Sequence, residues 1–566
     1  MMDLVIKNGK IYDGSGNKAY DANISVKNGK IEYIGPEIHE AKETISADGL
    51  IITPGWVDIH THYDAQVTWD PYLTPSGWNG VTTVVMGNCG VGFAPAKPDK
   101  HDWLINLMEG VEDIPGSAMW EGIQWEWESF PEYIASLEKK KAALDFAVLV
   151  PHGPVRYYVM GERGAKNEPA LDEDIEKMYE LVKVAIDSGA LGFSTSRTLI
   201  HRSKDGELVP GTFAEENELF GIGKALDGHK NKVFQMTSNH IDMDKEFEWM
   251  KVLAEKYDCT VTYNLLQTDQ SPDLWKKLLS MTTETAKKGL RLYAQVAGRP
   301  AGILMSWEGT AHPFLSYPSY QKIAHLPFAE KYEKLKDPEI RNQILSEEPL
   351  DMGEFANFIT RGYHKMYKLD HKNPNYEPDA SMSFAALSKK ENKNANQLTY
   401  DYLMENDGKA IIYFPIFNYS HNNMEHMRDM FAHEQAYLSL GDGGAHCGAI
   451  CDASIPTYMV TYWARDRKVG ETIPLEKIIK MQTKDTASLY GLDDRGEIKV
   501  GMKADFNIID FENLFMRAPE MIYDLPAQGR RFVQKADGYK YTILSGEVVF
   551  KDGKETGNLP GKLIKK

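Results

Sequence analysis

The chain opens on short β-rich runs in which apolar and polar positions alternate, Leu4-Val5-Ile6, Ile24-Ser25-Val26 and Ile31-Glu32-Tyr33-Ile34, interrupted by Asn8-Gly9 and Asn28-Gly29. A period of two marks half-buried strands, and Asn-Gly between such runs predicts hairpin turns. The same style returns near the far end, in Ala504 to Asp510, Tyr541 to Gly546 and Val548 to Gly553. Residues 1–50 and 496–566 therefore read as two parts of one small β-sandwich.

Between them, over 51–495, short runs that read as buried strands alternate with helical stretches. The runs end near His60, then cover Thr82 to Asn88, Phe146 to Val150, Ala190 to Thr195, Lys232 to Thr237, Thr260 to Leu265, Leu290 to Val296 and Ala436 to Gly441. Parallel strands need crossovers of about a dozen residues or more, which the helical stretches supply. Eight such strands predict an α/β fold, a TIM-like (β/α)8 barrel. The rhythm breaks from about Gly298 to Gly408, a stretch rich in Pro, Tyr, Lys and Asn, and strand character resumes at Ile411. This is read as a large insertion near strand seven, a lid over the barrel mouth, where long insertions commonly carry function.

A length of 566 residues suits one large catalytic domain with a smaller companion. The net charge of −18 argues against a nucleic-acid or anionic-membrane surface and for a small-molecule substrate. Four cysteines are too few for a disulfide framework, so a reducing, cytoplasmic setting is expected. The first residues read as a strand rather than a signal peptide, and no apolar stretch of about 18 residues suggests a spanning helix. A homo-oligomer is compatible with all of this, and nothing in the sequence specifies one.

Candidate chemistry sits at the ends of the apolar runs. His60 and His62 close the run Ile51 to Ile59; two apart in an extended chain, they point to the same side, at the C-terminal end of a barrel strand, where barrel enzymes place their sites. Neutral imidazoles suit a divalent ion, with zinc the default and manganese, iron, cobalt or nickel as alternatives. Asp442 emerges from the eighth strand as a general-base candidate, the alternative being a turn aspartate before Gly443-Gly444.

Several motifs together carry a family resemblance: Leu4-Val5-Ile6-Lys7-Asn8-Gly9-Lys10, Pro54-Gly55-Trp56-Val57-Asp58-Ile59-His60-Thr61-His62-Tyr63-Asp64, Gly80 to Gly90 around Cys89, Gly189 to Ser196, Gly441 to His446, and Gly496 to Phe506. The set resembles the D-aminoacylase (N-acyl-D-amino-acid deacylase) branch of the amidohydrolases. That resemblance implies that His60, His62 and Cys89 are metal ligands and that Asp442 touches the metal and relays protons. The family also places histidines at the ends of strands five and six. Here strand six offers Asn264 and strand five only His240, slightly downstream, while strand four ends in Ser194-Thr195-Ser196-Arg197 with no bridging lysine. A mononuclear site is therefore expected, with His240, Asn264, His201 and His446 as further metal or substrate contacts.

His152 with Arg156, and Arg197, end strands three and four, and are read as groups that orient a carboxylate or polarise a carbonyl; structural hydrogen bonding is the alternative. Cys447 and Cys451 read as packing residues, and Trp120, Trp125 and Trp127 as cover for the barrel. Three functions follow. The first is hydrolysis of an N-acyl-D-amino acid or related amide. The second is hydrolytic C–C cleavage of a cyclic 1,3-diketone, as in the dihydrophloroglucinol cyclohydrolases, which the chain also resembles. The third is a metal-free binding protein.

Overall fold

The computed structural model describes all 566 residues. Eight parallel strands form the barrel: Trp56–Asp58, Val81–Met86, Asp145–Val148 continued by Val150–Pro151, Gly192–Ser196, Val233–Thr237, Thr260–Asn264, Leu292–Ala297 and Ala436–Ser439. Each pairs in parallel with the next from one to eight. Strands one and eight meet only beyond their ends: the Asp442 amide donates to the His60 carbonyl at 3.0 Å, and the His62 amide to the Gly443 carbonyl at 2.8 Å. The ring thus closes through the two segments that carry the candidate site.

The apolar run before His60 is shared between two sheets. Ile51–Pro54 pairs with Met2–Ile11 and antiparallel with Phe506–Ile509, and only Trp56–Asp58 enters the barrel. Gly55 makes the transition where a Cβ would lie 2.2 Å from Thr82 Oγ1. The nine-stranded sheet built this way from both ends of the chain closes over its own core, including Leu4, Ile6, Ile24, Val26, Phe506, Ile508 and Ile543.

The two Asn-Gly signals resolve differently. Asn28 and Gly29, at φ of 51° and 73°, form the tight turn between Tyr20–Lys27 and Lys30–Gly35. Asn8-Gly9 is instead a bulge inside Met2–Ile11, where the register against Tyr20–Lys27 slips between Ile6 and Gly9. Close packing decides it: a Cβ on Gly9 would stand 2.1 Å from Ile52 Cδ1.

Beyond strand seven, Gly302–Met305, Tyr367–Leu369 and Ile411–Pro415 form an antiparallel sheet of their own. It packs a separate aromatic core around Trp307, Phe314, Tyr400 and Phe414. One edge reaches the barrel mouth, where the Thr310 amide donates to the Gly448 carbonyl at 2.8 Å and the Thr310 hydroxyl to Asp113 at 2.8 Å. At the other end of the barrel, Asp145 is buried between Arg495, at 2.6 Å, and Lys503, at 2.7 Å. No helix is long and apolar enough to cross a membrane.

Candidate metal centre

His60 and His62 lie just past barrel strand one, and the His60 amide is anchored by Asp58 Oδ1 at 3.1 Å. Cys89 follows strand two in a left-handed conformation, φ 57°, and its amide donates to Gln235 Oε1 at 3.0 Å. One donor atom from each of His60, His62 and Cys89 falls within 4.8 Å of the others. His60 Nε2 is 3.2 Å from Cys89 Sγ, while its Nδ1 is 2.9 Å from Gln295 Oε1. An amide oxygen can only accept, so the His60 proton sits on Nδ1 and Nε2 keeps its lone pair facing the cysteine.

Asp442 Oδ1 stands 3.5 Å from His60 Nε2 and 3.8 Å from His62 Nε2. Its side chain keeps 22% exposure against 1% for either histidine, so the open side of the cluster is the aspartate side.

Burial governs the charges. It pulls His60 down to about 4 and His62 well below its ordinary value, so both rings are neutral, the form that ligates. Burial also pushes the Cys89 thiol up, with the Glu112 and Asp442 carboxylates adding to it, and raises Glu112 and Asp442 themselves. Glu112, absent from the sequence reading, lies at the end of helix His101–Glu112, fully buried, with neither oxygen hydrogen-bonded; His62 Nδ1 is also unpaired. Two neutral imidazoles, a thiol and crowded carboxylates, with His62 Nδ1 and both Glu112 oxygens unpaired, fit a divalent cation, which would favour the ionised form of every acid in the group.

The other sequence candidates divide. His446 and His201 join the group: burial takes them down to about 4 and about 3, and His446, then His60, adds to the lowering of His201. Asn264 accepts from Gln235 Nε2 at 3.3 Å, so Gln235 and Asn264 form an amide chain that buttresses the Cys89 amide. His240 is turned to the strand-six loop, accepting the Leu266 amide at 3.1 Å.

His152, Arg156 and Arg197 have their polar groups engaged by the protein itself. His152 bonds Thr195 Oγ1 and Glu218 Oε1 at 2.8 and 2.9 Å. Arg156 spends its donors on Glu218 and the carbonyls of Gly164 and Glu168. Arg197 spends its own on Glu246 and the carbonyls of Gly211 and Ala214. Cys447 and Cys451 are buried and free. Trp127 donates to the Phe93 carbonyl and Trp125 stacks on His101, while Trp120 is half exposed.

A parallel barrel with a His-x-His pair and a cysteine at its C-terminal rim carries a donor set suited to a divalent ion. The chain belongs to the amidohydrolase family, whose profile matches residues 43–550. A D-aminoacylase of Alcaligenes xylosoxydans xylosoxydans is 34% identical over 228 residues, 40% of this chain and 42% of that one. An uncharacterised protein of Mycobacterium tuberculosis is 24% identical across 98% of this chain and 93% of its own. Among solved structures, a D-aminoacylase with a binuclear centre, activated by one metal and attenuated by the second, superposes with a TM-score of 0.66 at 18% identity, covering all of both chains. The N-acyl-D-glutamate deacylase of Bordetella bronchiseptica, in complex with zinc and a phosphonate inhibitor, gives 0.65 at 18% over the same full coverage. At that identity the likeness is one of fold.

Proposed function

We propose that the protein is a one-metal hydrolase that attacks a carbonyl at the barrel mouth, with an N-acyl-D-amino acid or a related amide as substrate. The observation that carries this is the convergence of His60, His62 and Cys89 within 4.8 Å, with Asp442 alongside on the open face. The D-aminoacylase likeness supports the amide. His60, His62 and Cys89 would hold the ion, with Asp442 completing the shell.

A bound divalent ion supplies Lewis acidity, polarising a carbonyl and bringing the pKa of water towards about 7. Asp442, its carboxyl raised by burial and then by Asp452 and Asp58, is suited to take a proton from water at Oδ1 and return it to the leaving nitrogen. Strand five ends in Thr237 and strand six in Asn264, with no imidazole at either end, which supports a single ion.

One observation favours a second reading. Arg156 and Arg197, the candidates for gripping a substrate carboxylate, have their donors filled by protein acceptors. A neutral cyclic 1,3-diketone needs no such grip, and its β-carbonyl would stabilise the carbon leaving group as an enolate. Metal analysis, then incubation with an N-acyl-D-amino-acid panel and with cyclic 1,3-diketones, tests both. Amine release supports the amide reading; loss of diketone absorbance without amine release replaces it with the second; protein without stoichiometric metal sinks both.

A further inference from the structure

Glu112 sits at the C-terminal end of its helix, where the exposed carbonyls already concentrate negative charge, and it is fully buried there. Neither of its oxygens has an aligned donor. The basic nitrogens in ion-pair reach are two: His62 Nδ1, 3.3 Å from Oε1, and His446 Nε2, 3.6 Å from Oε2. Such a carboxylate costs the fold stability, so its retention calls for a task beyond packing.

The neighbouring ligand shows what the task is. His60 turns Nδ1 to Gln295 and presents Nε2 to Cys89. His62 repeats the arrangement with Glu112 in place of the glutamine, its Nε2 turned towards Asp442. Glu112 is tied to the strand-eight segment twice over, since the His446 amide donates to its backbone carbonyl and the Gly448 amide to the adjoining Asp113 at 3.0 Å.

We propose that Glu112 is the positioning carboxylate of the metal centre. One oxygen accepts a hydrogen bond from Nδ1–H of His62, fixing the tautomer whose Nε2 faces the ion; the other holds His446, and with it the segment that carries Asp442. Partners of this kind orient ligand rings and increase their basicity. The inference rests on the metal-centre reading above.

The test compares the wild type with Glu112→Gln and Glu112→Asp. Zinc affinity is measured by chelator competition, ligand identity by the visible spectrum of the cobalt(II)-loaded proteins, and stability by thermal melting after chelator dialysis. Glu112→Gln is expected to bind zinc about 10–100-fold more weakly, with the cobalt spectrum keeping the wild-type ligand pattern. After metal removal it is expected to melt no lower than the wild type, because a costly buried acid is gone. Glu112→Asp is expected to fall between the two in affinity. Zinc affinity in Glu112→Gln within about threefold of the wild type overturns the proposal, as does a cobalt spectrum showing that a ligand has been lost, which would make Glu112 a ligand itself. Should Glu112→Gln not fold, Glu112→Asp decides: unchanged affinity there overturns it equally. A wild type that binds no stoichiometric ion refutes the metal centre instead, and the two failures are distinct.

Discussion

Replacing Cys89 by serine should change how metal affinity depends on pH, not only its size. The thiol is 4% exposed and lies 3.2 Å from His60 Nε2, and burial, then Glu112 and Asp442, hold it above the usual thiol range. Only the thiolate ligates, so binding must release the Cys89 proton. Below the thiol's own pKa, one released proton makes affinity rise about tenfold, or about 1.4 kcal/mol, per pH unit. His60, already neutral above about 4, adds nothing near neutrality. Protons displaced from Glu112 or Asp442 are common to both proteins and cancel in the comparison. From about pH 6 to about pH 8 the ratio of wild-type to Cys89→Ser affinity should therefore grow about a hundredfold. Competition against one chromophoric chelator at each pH measures this directly, since the chelator's own titration also cancels. A ratio flat across that range would refute cysteine ligation, however much the substitution lowered affinity.

Asp442→Asn should retain the metal and lose about 10²–10⁴-fold in kcat, measured on zinc-loaded protein with whichever substrate is turned over. Arg197→Lys should lower the melting temperature and leave kcat/KM of the folded enzyme nearly unchanged, since its fork serves Glu246 and two carbonyls; a selective collapse of kcat/KM would restore it to the substrate site. Asp145→Asn should cost about 3–5 kcal/mol in chemical denaturation, because Arg495 and Lys503 lose their buried partner. Burial raises the Asp145 carboxyl, but Lys503 and Arg495 more than reverse this, and its folded pKa lies below the unfolded value. Its contribution is therefore full above about pH 4 and is lost as pH falls through the folded pKa, so the wild type and Asp145→Asn should converge in acid. Gly9→Ala should destabilise by about 1–3 kcal/mol, the new methyl meeting Ile52.

The barrel was legible because its eight strands are short, mostly buried runs that alternate with helical stretches in the sequence. His60 and His62 were legible because they end such a run. What was not legible depends on partners far away in the chain. A charged residue after a barrel strand looks the same whether it faces a substrate or a buried acid, and Glu218 and Glu246, which claim Arg156 and Arg197, lie on later helices. Asn8-Gly9 carries the local signature of a turn, and only its crowding against Ile52 makes it a bulge. Glu112 left one trace, an acid in the last turn of a helix, where the dipole disfavours it. That signal can be used only once the helix end is known.

The sharing of one apolar run between two sheets has a consequence for synthesis. Ile51–Pro54 leaves the ribosome early, whereas its partner Phe506–Ile509 follows about 450 residues later, roughly 20–90 s at ordinary elongation rates. Through that interval Leu4, Ile6, Ile24 and Val26 have no opposing layer to cover them, while the barrel strands, each paired with the next, can assemble in order as they emerge. The nascent chain therefore carries a sticky leading sheet ahead of a folding barrel, and the last strands to be made relieve it.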